Sequence, residues 1–214
     1  MKSQCDVARW IRSRKVSLTY PVPVQVTRYI DANPLDLQLD IPMLGQFRIF
    51  FFVHDAHAAA TFLSTVTDHI GSSEESILYR ASRRAERSYA TLNTSTPESA
   101  EYMQPQRYTA VSKLYTPAIV TTALKDTVEI ADLPALLQKS RWTFYLDDIP
   151  DEVGNTHSAT RAWLGELGDS EAAVIVVRPD GYVGAISRWD FRAQAAGQQA
   201  GFWFDEYFSG FLEA

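Results

Sequence analysis

The chain has 214 residues, 46% hydrophobic and 21% charged, which are the proportions of an ordinary globular protein that can build a core. Its formal net charge is −6 and its basic residues form no concentrated face, so nucleic acid is not expected as a partner. No apolar run is long enough to span a bilayer, so we expect no membrane insertion and a cytoplasmic location. Cys5 is the single cysteine, so an internal disulfide cannot form.

The first quarter of the chain is predicted to contain an arm and two extended segments. Residues 1–20 form the predicted N-terminal arm, and residues 21–214 a single domain. The prolines at positions 21 and 23 favour extended backbone in the residues before them, so the domain is expected to begin with an extended segment. Apolar and polar residues alternate over residues 35–41, which predicts a half-buried strand.

The next segment is predicted to hold a central strand and two helices. The run R-I-F-F-F-V at residues 48–53 is almost continuously apolar, which is typical of a central strand. A helix is expected from about His57 to Gly71, because apolar residues recur there at intervals of three and four. A second, more polar helix is predicted to run to about Tyr89. Residues 91–106 are rich in Thr, Ser, Pro and Glu and predict a mobile insertion.

Strands and helices are predicted to alternate in the second half. Strands are expected at residues 114–124, 127–130 and 142–146, with a short helix starting at residues 132–134. Residues 157–167 carry apolar side chains at helical spacing and predict another helix.

The last forty residues or so predict a hairpin and a terminal helix. Residues 172–177 are a continuous β-branched run, expected to be a strand buried on both faces. Pro179, Asp180 and Gly181 supply turn chemistry, and residues 182–186 return as a second strand. Aromatic residues at spacings of three and four over residues 202–211 predict a docked amphipathic helix.

The hairpin sequence R-P-D-G-Y-V-G, residues 178–184, resembles one in the C-terminal domain of the FAD-dependent phenol 2-monooxygenases (phenol hydroxylases). Three further segments are similar to the same domain: G-Q-F-R-I-F-F-F-V-H-D at residues 45–55, T-V-E-I-A-D-L-P at 127–134 and F-D-E-Y-F-S-G-F-L at 204–212. The resemblance implies an α/β, thioredoxin-like fold with a central mixed β-sheet flanked by helices. In the hydroxylases this domain contributes to subunit contacts and carries no catalytic residues.

Two kinds of chemistry are excluded by missing motifs. None of the ten glycines belongs to a G-x-G-x-x-G motif, so we expect no cofactor, neither FAD nor NAD(P)H, and no monooxygenase activity by this chain alone. In thioredoxins the redox cysteines lie where the first central strand meets its helix. Here that junction reads His54-Asp55-Ala56-His57, which excludes thiol–disulfide exchange at this place because the reaction requires a thiolate.

The junction still holds candidate catalytic residues. His54, Asp55 and His57 are plausible general acid/base groups at a helix N-terminus. The structural alternative is that Asp55 caps the helix and the histidines are exposed beside it. No metal is expected, because two histidines without an obvious third ligand are weak evidence for zinc.

Candidate substrate-binding residues come from the hairpin and the tail. Arg178 could orient a carboxylate or phenolate, Tyr182 could donate a proton, and Trp203 could form the wall of a pocket for a flat aromatic molecule. The structural alternative places Arg178 in an ion pair beside the turn and the aromatic tail in the core or a subunit interface.

Two functions from different classes remain open. One is a redox-inactive dimerisation, accessory or small-molecule-binding protein of aromatic or secondary metabolism, which forms a homodimer, docks onto an oxygenase or other pathway enzyme, or binds an aromatic small molecule. The other is a cofactor-independent isomerase, cyclase or dehydratase acting on an aromatic or polyketide-type metabolite, with His54 and His57 as acid and base.

Overall fold

A computed structural model describes residues 21–91, 106–109, 111–150 and 158–212 of the chain. The predicted N-terminal arm, nearly all of the predicted insertion at 91–106, and His157 at the start of a predicted helix lie outside these residues. Within the described ranges, no helix has the length and apolar content needed to cross a membrane.

Seven strands of the described residues form one mixed sheet in the order β2-β1-β5-β4-β3-β6-β7. The strands are β1 (Gln25–Arg28), β2 (Pro34–Asp36), β3 (Phe47–Val53), β4 (Tyr115–Thr121), β5 (Phe144–Leu146), β6 (Glu171–Val177) and β7 (Val183–Asp190). At the centre, β3 pairs in parallel with β4 and antiparallel with β6, and β7 pairs antiparallel with β6 at one edge.

The helices that cover this sheet differ in length between its two faces. They are α1 (Leu37–Asp40), α2 (Ala60–Ser72), α3 (Ile77–Thr91), α4 (Gln106–Thr109), α5 (Ala135–Lys139), α6 (Ser158–Leu164) and α7 (Ala196–Ser209). The long helices α2 and α7 pack together on one face, and α3 packs against both. The short helices α1, α4 and α6 contribute side chains to the core on the other face.

Strand β3 supplies both hydrophobic cores. All seven of its residues are buried. Phe51 and its odd-numbered neighbours face α2 and α7, whereas Phe50 and Phe52 face α1 and α6, because successive side chains of a strand point to opposite faces. The predictions of a central strand at residues 48–53 and of a strand buried on both faces at residues 172–177 are therefore confirmed.

Two strand predictions are wrong. The alternation over residues 35–41 ends after β2, and the chain then forms α1. Leu37 at the start of this helix and Ile41 directly after it are buried, while Leu39 is 71% exposed. Residues 127–130 are not a strand but connect two short 3₁₀ turns, Lys125–Thr127 and Ile130–Asp132. In both segments a few apolar residues fitted a two-residue period by chance, and tertiary contacts selected a tighter backbone.

A buried ion pair joins β1 to α1. Arg28 binds Asp40, and the two side chains are only 8% and 6% exposed. Asp40 also accepts hydrogen bonds from Tyr145 at 2.6 Å and from Tyr108 at 3.4 Å. On its outer side Arg28 binds Asp31 at 2.7 Å. The pair thus fixes α1 against the sheet, and the three partners of Asp40 each belong to a different strand or helix.

The order of the central elements defines the fold. A strand, a helix and a parallel strand (β3-α2-β4) are followed by α6, the antiparallel hairpin β6-β7 and α7, with the four strands arranged as β4-β3-β6-β7. This is the α/β arrangement of the thioredoxin-like fold, here widened by β5, β1 and β2 beyond β4. The predicted fold class is confirmed.

Candidate functional site

The junction of β3 and α2 gives each of its three candidate catalytic residues a structural environment. Asp55 is exposed, and its Oδ1 accepts hydrogen bonds from the backbone N–H groups of His57 at 2.8 Å and Ala58 at 3.1 Å. Asp55 therefore caps the turn that leads into α2, worth about 1 kcal/mol. The imidazole of His57 is exposed.

His54 is half-buried, and both of its ring nitrogens have protein partners. Nε2 donates to the backbone carbonyl of Leu167 at 2.7 Å, and Nδ1 lies 2.8 Å from the hydroxyl of Thr122. The ring thus bridges the ends of β3 and β4 to the segment after α6. A catalytic role for His54, Asp55 and His57 stays a prediction. One of the two hydrogen bonds of His54 would have to break before its ring could exchange a proton with a substrate.

Arg178 and Tyr182 lie in the β6–β7 turn. Arg178 binds Asp180 at 2.6 Å, and the backbone N–H of Arg178 donates to the carbonyl of Tyr182 at 2.8 Å. Gly181 has a φ of +89°, the left-handed conformation that glycine adopts without a steric cost. This arrangement matches the structural alternative for the turn, and binding of a substrate by Arg178 or Tyr182 stays a prediction.

Trp203 belongs to an aromatic cluster on α7. Its ring packs 5.5 Å from Trp189 of β7 and 6.2 Å from Tyr207, one turn further along the helix. The hydroxyl of Tyr207 lies against Gly184, where an added Cβ atom would approach it to 2.0 Å. The same point is 2.9 Å from Cγ of Arg178. Tyr207 therefore connects the helix residue Trp203 to the turn residue Arg178.

The buried Tyr207 hydroxyl finds no hydrogen-bond partner among the described residues. Burial raises the pKa of this phenol and keeps it neutral. We expect Tyr207→Phe to raise the free energy of unfolding by about 1 kcal/mol, because it removes an unsatisfied polar group and keeps the ring. Tyr145→Phe is the matched control and should lower it by about 1–3 kcal/mol, since that hydroxyl binds Asp40. Urea denaturation of both variants checks the opposite signs.

An apolar groove of about 300 Å³ lies on the other face of the sheet, where α1, α6 and the first part of β3 meet. Its walls include Leu39, Met43, Phe50 and Trp163, and Arg48 also lines it. The Trp163 ring packs edge-on against Phe50 at 5.2 Å. Arg48 is 6% exposed, and its Nη1 donates to the backbone carbonyl of Gln38 at 3.1 Å.

The groove and the His54 junction are separate places. Arg48 lies near the start of β3 and His54 directly follows its end, roughly 20 Å away at about 3.3 Å per residue. Sequence analysis did not identify the groove. The one available signal was the position of Arg48 inside a run of apolar residues, where a charged side chain needs a partner or a function.

Solved structures of three redox enzymes are similar to this chain at low identity. A peroxidoxin from Mycobacterium tuberculosis is 10% identical with a TM-score of 0.44, over 94% of this chain and 100% of that one. The bacterioferritin comigratory protein of Xanthomonas campestris is 10% identical with a TM-score of 0.40, over 92% and 99%. The mitochondrial 2-Cys peroxiredoxin of Plasmodium falciparum is 8% identical with a TM-score of 0.40, over 94% and 99%.

A family match covers much more of the chain than the motifs that first indicated it. Residues 21–214 match the family described as the phenol hydroxylase, C-terminal dimerisation domain. The matched range includes the whole of the sheet, the β6–β7 turn and α7.

Proposed function

Because this chain belongs to the phenol hydroxylase C-terminal dimerisation domain family, we propose that it is a cytoplasmic, redox-inactive assembly protein that forms a homodimer and serves an enzyme of aromatic or secondary metabolism. The observation that carries this proposal is the family match over residues 21–214. A domain of this family acts by contact between subunits, so the proposal requires a surface on which two copies can meet.

Strand β7 offers such a surface. It is eight residues long and lies at one end of the sheet, so the outer side of its backbone has no strand partner among the described residues. An unpaired edge of this length is a template for a strand from a second copy. Ile186, near its middle, is 44% exposed and would add apolar contact.

Several of the usual protections of an edge strand are absent from β7, although a register shift interrupts its pairing with β6 between Val176 and Val177. Strand β7 contains no proline and no lysine. Its arginine, Arg188, donates to the backbone carbonyls of Glu166, at 2.5 Å, and Leu164, so the guanidinium is held by the end of α6. By contrast, the opposite edge of the sheet is β2, which has three residues and begins with Pro34. We therefore place the proposed dimer contact at β7, as an antiparallel pair across a two-fold axis.

Analytical ultracentrifugation of the full chain tests this proposal. We expect a dimer in the wild type and an at least tenfold higher dimer dissociation constant in Ile186→Asp, because the substitution places two like charges at the contact. The matched control is Leu124→Asp, which changes a 72% exposed leucine beyond the end of β4 and should leave the dimer intact.

Each result has a distinct meaning. A wild type that stays monomeric up to its solubility limit contradicts the homodimer. A dimer that survives Ile186→Asp keeps the homodimer and rejects β7 as the contact. Circular dichroism of the two variants shows whether both retain the wild-type fold.

A further inference from the structure

The geometry of the groove points to a second role, independent of the proposed dimer. We propose that the groove between α1, α6 and β3 binds a small apolar molecule that carries one carboxylate, with Arg48 as the group that recognises the carboxylate.

Arg48 is a buried cation to which the described residues offer no carboxylate. It is 6% exposed, and the acceptor that the described residues offer it is the neutral carbonyl of Gln38. Burial accordingly lowers the pKa of Arg48. Arg28, on strand β1 of the same sheet, shows the contrast: it binds two carboxylates, those of Asp40 and Asp31. A buried charge without a counter-charge is costly, and an anionic ligand would remove that cost.

The guanidinium also has donors to spare. It carries five N–H groups in a planar fork, and the described partner, Gln38, accepts from Nη1 alone. This fork matches the two oxygens of a carboxylate, which it can bind through two parallel hydrogen bonds. A compact point charge such as lysine could not provide that geometry.

The other residues that line the groove indicate that the part of the ligand outside the carboxylate is apolar and small. Trp163, Phe50 and Met43 are apolar, and Met43 is 62% exposed at the rim. A volume of about 300 Å³ is at the small end of the range for small-molecule sites, about 300–1,000 Å³, which suits a body of one or two rings. Arg48 is the one charged residue among the described residues that line the groove, and the chain as a whole is acidic, so a polyanion such as a nucleotide is a poor match.

Isothermal titration calorimetry with two probes of the same shape tests the proposal. The probes are 2-naphthoate and its neutral isostere 2-naphthamide. We expect the wild type to bind the acid at least tenfold more tightly than the amide, because the charge-assisted hydrogen bonds to Arg48 exist only for the acid. Arg48→Gln should abolish this preference, and Arg48→Lys should keep part of it.

Two further variants separate the charge from the apolar walls. Arg192→Gln removes an exposed arginine near the start of α7 and should change nothing. Trp163→Ala should weaken the acid and the amide by a similar factor, since it removes a wall and leaves Arg48. Equal binding of acid and amide by the wild type overturns the proposal, as does undiminished acid binding by Arg48→Gln, or no binding of 2-naphthoate at any attainable concentration. The comparison of probes on the wild type decides the matter even where Arg48→Gln fails to fold.

Discussion

Asp40→Ala is expected to lower the free energy of unfolding by about 3–5 kcal/mol, one of the two largest effects of a single substitution that we predict. The substitution leaves Arg28 buried without its inner counter-charge, since the Arg28 side chain is 8% exposed. It also removes the acceptor of the Tyr145 and Tyr108 hydroxyls. A buried ion that loses its partner cannot regain the hydration it gave up on folding.

Arg28 cannot recover the stability lost in Asp40→Ala by giving up its proton. Burial by itself would lower the pKa of Arg28, but the hydrogen bond to Asp40 and the charge of that carboxylate raise it above its ordinary value. Arginine in any case stays charged in proteins, so the variant must either bury an uncompensated cation or open the α1 segment to water.

Chemical denaturation with urea, followed by circular dichroism, measures the effect. The matched control is Asp31→Ala, which removes the other carboxylate of Arg28 from a side chain that is 39% exposed, and it should cost less than about 1 kcal/mol. Similar losses for the two variants would show that the inner ion pair has no special weight. A shift in the slope of the denaturation curve would indicate that α1 has opened in the native state.

Phe204→Ala is expected to lower the free energy of unfolding by about 3–5 kcal/mol. Phe204 lies on α7 and is fully buried between that helix and the sheet. Its ring stacks on Phe208 at 6.2 Å and contacts Phe51 of β3 at 6.4 Å. Truncation leaves a cavity lined by these rigid rings, and a close-packed interior collapses only partly around such a space.

Phe202→Ala is the control on the same helix. Phe202 is 69% exposed, so the loss of its ring should change stability by no more than about 0.5 kcal/mol. Thermal and urea denaturation of the two variants compare the same chemical change at a buried and an exposed position of α7. If both variants lose several kcal/mol, Phe202 must be covered by another part of the assembly.

The sequence was sufficient for the central strands and the terminal helix, because their signals are local. A run such as R-I-F-F-F-V has no alternative but the interior. The spacing of Phe204 and Phe208 indicated the buried face of α7, although that helix begins at Ala196 and ends at Ser209, both earlier than the aromatic residues 202–211 suggested. At residues 35–41 the same local rule failed. Leu37 and Ile41 satisfy both a two-residue and a four-residue period, and the choice depended on the distant partners of Asp40.

At the candidate site, too, contacts between residues far apart in the sequence could not be predicted from local patterns. That Asp55 would cap the following turn could be inferred from its position, and the structure places it so. That His54 would bind the carbonyl of Leu167, more than a hundred residues later, could not. Nor could the sequence reveal that Arg28 binds two carboxylates while the described residues offer Arg48 none, since the difference lies in which side chains the fold brings together.

The central position of β3 has a consequence for the growing chain on the ribosome. This strand is synthesised before both of its neighbours, and β6, which covers its second edge, follows more than a hundred residues later. At about 5–20 residues per second, the phenylalanine-rich segment waits of the order of ten seconds for that partner. During this interval at least one edge of the strand is unpaired, and its sequence is strongly apolar without a proline or an acidic residue, the kind of sequence that associates with other chains. We therefore expect the yield of folded protein to depend more on the supply of chaperones that bind the nascent chain than on the stability of the native state.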